Sequence, residues 1–246
     1  MAIARFAQEG ARPAGIRLAW RCLLSASVLL MLGIGTARAV RPFTAGLPSV
    51  DALRHYDFPH RLVPLSRFPP ELRQAFLAAE DGEFWSEGPL DYDAIVRAAL
   101  VDAVRGRPAQ GGSTITQQVA RMLFLHRHKT LRRKLRGAVL AYRLQRAWGK
   151  RRILDAYLNR VYLGPHIRGV TAASRYYFHR DPAQLDLAQA AMLAGLPANP
   201  SLFDPRSHPQ RARARRDYVL QQMRVLGFIS RRSERVASRE PLLQAG

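Results

Sequence analysis

Glu80, Asp81, Glu83 and Glu87 form a dense acidic group in a strongly basic chain, and no Asp or Glu occurs between Asp102 and Asp155. Further along, Gly111-Gly-Ser-Thr-Ile-Thr-Gln-Gln118 strings together hydroxyl and amide side chains, and Arg132-Arg-Lys134 follows. This combination suits activation of a hydroxyl on an anionic substrate. A glutamate beside apolar groups has a raised pKa and can accept a hydroxyl proton, a contribution of about 10²–10⁴ in rate. Amides and hydroxyls at a helix start favour bound anions, and guanidinium or ammonium groups grip a pyrophosphate. Each feature also has a plainer reading. Glu80 or Asp81 would cap a turn at Gly82, with the other acids solvated. Ser113 or Thr114 would cap a helix, and Arg132–Lys134 and Lys150–Arg152 would be solvated basic faces.

The elements that must position these residues read as helices. Pro69-Pro70 starts one, since proline suits a first helical turn; Leu72, Phe76 and Glu80 share a stripe of it. Such a glutamate sits at the edge of the core or is held there for a purpose. Asp91 to Arg105 reads as a second helix, and Arg105 to Gly112 as a basic, mobile loop. A third begins at Thr114, with Gln117 at capping-box spacing. A fourth runs from Thr130 to Trp148 and stops at Gly149, and a fifth from Lys150 to Tyr162. Val170–Phe178, Leu187–Leu196 and the basic Pro209–Leu226 complete a mostly α domain. Arg41 to Pro64 reads as a linker or small packing segment, and the tail after Arg231 as frayed. No segment has a convincing strand period.

Bulk properties narrow the partner. The 246 residues hold one domain plus an extension, and 48% hydrophobic content suits a globular core. Lys+Arg 39 against Asp+Glu 18 gives a net charge of +21, which calls for a polyanionic partner. Cys22, the single cysteine, excludes an internal disulfide framework and a cysteine-based zinc site. Arg5, Arg12, Arg17 and Arg21 precede an apolar run from Cys22 to Ala37. Counted from Leu18, that run approaches the roughly 20 residues of a membrane span, with the cationic flank inside. Ala37-Arg-Ala39 also fits a signal cleavage site. Either route exports the domain and argues against nucleic acid, as does the lack of aromatic residues among the basic runs.

From about Val63 to Phe228 the chain resembles the peptidoglycan glycosyltransferases (glycosyltransferase family 51), in their monofunctional biosynthetic transglycosylase form. The motifs stand in family order: Glu80-Asp-Gly-Glu-Phe84, Gly111 to Gln118, Arg133-Lys134, Lys150 to Asn159 with Gly164, and Leu193-Ala-Gly-Leu-Pro197. The resemblance implies a lysozyme-like glycosyltransferase domain with a larger helical lobe and a smaller membrane-proximal lobe. It implies polymerisation of lipid II, the undecaprenyl-pyrophosphate disaccharide-pentapeptide, into glycan strands. Glu80 would be the catalytic base, and Ser113, Thr114, Gln118, Arg121, Arg133 and Lys134 would bind substrate, with Asp81, Glu83 and Glu87 as supporting acids. The implied partners are lipid II, the nascent glycan strand, the membrane and other cell wall synthesis proteins. The expected organisation is a basic flank and anchor or signal over 1–41, a glycosyltransferase domain over 42–230 and a tail over 231–246. The expected location is the cytoplasmic membrane, single-pass with the domain outside, or the periplasm after cleavage near Ala39. No Ser-x-x-Lys occurs and little chain follows, so no penicillin-binding transpeptidase domain is expected.

The chain departs from the family pattern. Gly137 stands where the basic motif has a second glutamate, Gln145 where many members have another, Glu87 for a histidine, Met122 for an asparagine and Arg121 for a lysine. Glu83, Glu87 or a divalent metal (Mg or Mn) would have to compensate at Gly137, although no cofactor is required by sequence. The alternative is a catalytically weakened relative that binds lipid II as a scaffold. A lytic enzyme is a further reading, disfavoured because a glycan chain carries no pyrophosphate for the cations to hold.

Overall fold

The computed structural model describes residues 43–86, 88, 113–125 and 131–243. The anchor or signal segment, Glu87, the expected helix over 91–105 and the loop over 105–112 all lie outside the described residues. The chain divides after Gly46, and all that follows concerns the unit from Leu47 onward. Among the described residues no helix is long and apolar enough to cross a membrane.

The described elements run α1 (Val50–Arg54), α2 (Pro70–Glu80), α3 (Ile115–Phe124), α4 (Leu131–Ala147), α5 (Lys150–Arg160), β1 (Tyr162–Gly164), β2 (Ile167–Arg168), α6 (Val170–Phe178), α7 (Leu187–Gly195), α8 (Pro209–Val225) and α9 (Arg231–Arg239). The mostly α expectation holds. Helix α7 is apolar on every side, which marks a central helix; it is buried from Ala188 to Gly195. It packs against α2 and α8, while α3 packs against α4 and α5. Asp186 starts α7 with a capping box, accepting from the Gln189 amide at 2.8 Å while Gln189 Oε1 accepts from the Asp186 amide at 3.2 Å. The core joins these layers through Phe68, Leu72, Phe76, Phe84, Ile115, Leu140, Leu144, Ile153 and Tyr157. Full burial of such a Leu or Phe side chain is worth about 1.5–3 kcal/mol.

The segment before α2 is packed rather than loose. Trp148 Nε1 donates to Leu53 O at 2.6 Å, Arg143 donates to Leu47 O and Pro48 O, and Arg152 donates to Tyr56 O at 2.8 Å. Arg152 also stacks on Trp148, 4.6 Å from the ring centre. The run Lys150–Arg152 is therefore not simply a solvated face.

Two expectations about local structure fail. Helix α5 ends at Arg160, and β1 and β2 form a short antiparallel hairpin where no strand is expected. Strands of three and two residues are too short to show a period of two. The expected frayed tail instead forms α9. Ser230 caps it by accepting from the Ser233 amide at 3.0 Å, and Glu234 pairs with Arg224 at 2.6 Å. Arg216, fully buried, donates to Ser238 O and Glu240 O at 2.6 Å each and pairs with Asp217 at 2.9 Å.

Candidate active site

Glu80 is the last residue of α2, one stripe above the buried Leu72 and Phe76, and is itself half-buried. From the first turn of α3, Gln118 Nε2 donates to Glu80 Oε2 at 2.8 Å. Burial raises the Glu80 pKa above the ordinary carboxylate value. The Gln118 donor and the charge of Arg215 pull it back, and the neighbouring Asp81 pushes it up. A carboxylate in this position holds a proton more readily than a solvated one while keeping an oxygen for a substrate hydroxyl.

What fixes α3 against the end of α2 is Asp81. Its Oδ2 accepts from the Ile115 amide at 2.7 Å, and the side chain is buried. Thr114 caps the same helix by accepting from the Gln117 amide at 3.2 Å. Two amide groups that a helix start leaves unsatisfied are thus met, one by a residue from another element. The plain capping reading holds for Thr114, whereas Asp81 caps the start of α3 rather than the turn at Gly82, so Glu80 and Gln118 meet as a consequence of their neighbours' hydrogen bonds.

Ser113 links this base to a cation. Its carbonyl accepts from Gln118 Nε2 at 3.4 Å, and its Oγ accepts from Arg121 Nη1 at 3.1 Å. Burial lowers the Arg121 pKa, and the positive charge of Arg133 lowers it further, so α3 and α4 bring two guanidinium groups into one field. The side chain of Lys134 lies outside the description, although its backbone lies in α4. Gly137 is buried at the contact of α4 with α3.

A family model described as Transglycosylase matches residues 50–224. The chain belongs to the transglycosylase family. It is 41% identical over 225 residues to a Cupriavidus necator protein whose name describes a transglycosylase, covering 91% of this chain and 97% of that one. It is 44% identical over 180 residues to penicillin-binding protein 1A of Aquifex aeolicus, covering 73% of this chain but only 25% of that one. A crystal structure of penicillin-binding protein 1A from Haemophilus influenzae is 25% identical, covering 75% of this chain and 18% of that one. Its TM-score of 0.45 is too low to bear on geometry.

In this transglycosylase, Glu80, Ser113, Gln118 and Arg121 stand in one hydrogen-bonded series. Glu83 is exposed, and no described interaction ties it to Glu80. Among the described residues no group of three or more His, Cys, Asp or Glu could hold a metal ion, and Asp81 already accepts from Ile115. The described residues alone do not make a cage for Mg or Mn. Two site neighbours escaped the sequence reading. Arg215 on α8 reaches over α7, where its Nε donates to Gly195 O at 3.3 Å. A Cβ at Gly195 would lie 2.9 Å from Arg215 Cγ, so this crossing requires glycine. Gly195 in the Leu193–Pro197 motif was the available signal, but nothing in sequence pairs it with one arginine among many. Tyr157 on α5 is buried, and the charges of Glu80 and Asp81 add to the burial that raises its pKa. Its place in the apolar stripe of α5 reads simply as core.

Proposed function

We propose that this chain is a peptidoglycan glycosyltransferase that polymerises lipid II in cell wall synthesis. The observation that carries the reading is the series from Glu80 through Gln118 and Ser113 to Arg121. It joins a desolvated carboxylate to a cation through two residues, Gln118 and Ser113. Glu80 removes the proton from the acceptor's 4-hydroxyl, and that oxygen bonds to the donor's anomeric carbon with inversion. The bond from that carbon to the pyrophosphate oxygen breaks, and the electron pair leaves with undecaprenyl pyrophosphate. Arg121 and Arg133, with Lys134, offset the charge that grows on the leaving group. Gln118 holds the carboxylate in line, and Asp81 and Thr114 hold Gln118.

The remaining family features belong to the same proposal: a lysozyme-like arrangement of two lobes, and a domain held outside the cytoplasmic membrane by the apolar segment before Ala39. The full-length chain, incubated with labelled lipid II, yields glycan polymer, and Glu80→Gln abolishes it. Absence of polymer from the wild type across metal conditions returns the assignment to a binding scaffold. Release of soluble muropeptides from sacculi returns it to a lytic enzyme.

A further inference from the structure

Gly137 sits in the interior of α4, where glycine weakens a helix relative to alanine. Its position faces α3, and a Cβ placed there would lie 3.4 Å from Arg121 Cγ, 3.7 Å from Arg121 Cδ and 3.7 Å from Leu125 Cδ1. A methyl group would just fit. A longer side chain directed at α3 would have to displace the Arg121 stem or Leu125. The stem therefore lies flat against the bare backbone of α4, and its far end donates to Ser113 Oγ at 3.1 Å.

We infer that Gly137 is a positioning residue for the diphosphate grip: its missing side chain is the bed on which Arg121 lies, and the two residues act as one unit. The absent carboxylate at this position is thereby replaced by packing. A negative side chain would both displace the Arg121 stem and neutralise part of the positive field that Arg121 and Arg133 share. Burial, and after it the charge of Arg133, lowers the Arg121 pKa, which agrees with this, since like charges held together in a desolvated place favour an anion between them. The inference rests on the assignment of Arg121 to the pyrophosphate, and it predicts that restoring glutamate here harms the protein.

The test is a double-mutant cycle on the full-length chain in detergent, read by calorimetric binding of inorganic pyrophosphate and by KM and kcat for lipid II. Gly137→Gln adds bulk without charge and is expected to weaken pyrophosphate binding roughly tenfold, about the effect of one charge-assisted hydrogen bond, with KM rising more than kcat falls. Gly137→Glu is expected to lose more than Gly137→Gln. Gly137→Ala is expected to melt higher and to lose less than either, which separates helix propensity from displacement. In an Arg121→Ala background, Gly137→Gln should cost nothing further. Equal losses in both backgrounds, or a gain of activity from Gly137→Glu, overturn the inference. So does a wild type that does not bind pyrophosphate. Pyrophosphate binding that follows this pattern without any polymer from lipid II would leave the inference standing and remove the glycosyltransferase reading.

Discussion

The face built by α7, α8 and α9 and the face built by α2, α3 and α4 both bury charged groups, and they treat them in opposite ways. Arg216 in the first is fully buried, yet every side of its guanidinium meets an acceptor: Ser238 O, Glu240 O and Asp217. Glu80 in the second has one donor, Gln118, and burial still raises its pKa. Arg121, at the other end of the same series, meets a hydroxyl and a like charge. One region uses a buried charge to close the fold, and the other leaves charge incompletely compensated. That difference marks the site, because a transition state that gains charge is stabilised only by groups not already satisfied.

The largest effect that tests this contrast is on Glu80. Glu80→Gln keeps shape and the Gln118 hydrogen bond but cannot take a proton, so kcat is expected to fall by about 10²–10⁴. The same change bears on stability. A carboxylate whose folded pKa is raised binds its proton more tightly in the folded state, so its destabilising effect is present above that pKa and fades as pH falls through it. Glu80→Gln should therefore melt at or above the wild-type temperature near pH 7, with the difference shrinking towards acid. A variant that loses both activity and stability at pH 7 would place Glu80 with Arg216 as a structural charge. Arg216→Met provides the reverse comparison. It removes the donors to two carbonyls at the end of α9 and is expected to cost about 3 kcal/mol of stability, read by denaturant unfolding, with kcat per folded molecule unchanged within twofold.

Arg215 lies between these regions, and its effect is expected to be intermediate. It belongs to α8 and is anchored on Gly195, but its charge acts on Glu80. Arg215→Met retains much of the stem while removing the cation that lowers the Glu80 pKa. Asp81 continues to raise it, and Gln118 alone opposes. The acid limb of the kcat profile, where Glu80 becomes protonated and inactive, should move to higher pH, with several-fold lower activity at neutral pH and recovery in alkali. An unshifted limb with uniformly lower kcat would show that Arg215 serves packing alone.

The same contrast explains what was legible in the sequence. Helices α2, α6 and α7 follow from apolar spacing, from proline in the first turn of α2 and from the Asp186 cap of α7, because local chemistry sets them. The pairing of Glu80 with Gln118 was not derivable from spacing, because it depends on Asp81 reaching Ile115 across 34 residues. Asp81 and Thr114 are candidate site residues by their motifs, and each also caps the start of α3. Helix α9 was missed because what holds it is a buried arginine and an ion pair from α8, and four arginines in nine residues resemble a solvated end. Gly137 was read as a loss because sequence shows the missing carboxylate and hides the arginine stem that fills its place.

Glu83 gives the smallest expected effect and so sharpens the boundary of the site. It stands in the same acidic group as Glu80, two residues past Asp81, and sequence alone makes it a candidate to replace the carboxylate absent at Gly137. The structure places it in the turn after α2, exposed, with its carbonyl accepting from the Ser86 amide at 2.9 Å while Phe84 beside it is buried against Lys150, whose Nζ lies 4.5 Å from the ring centre. The turn is thus held by its backbone and by Phe84, and the Glu83 carboxylate is turned towards water, where screening leaves it little influence on a desolvated neighbour. Glu83→Gln is expected to change kcat and KM for lipid II by less than twofold and to leave the acid limb where it is. A loss approaching that of Glu80→Gln would mean that the turn folds inward when substrate binds. The site would then contain a second working carboxylate, and the division between satisfied and unsatisfied charge would have to be redrawn at Phe84.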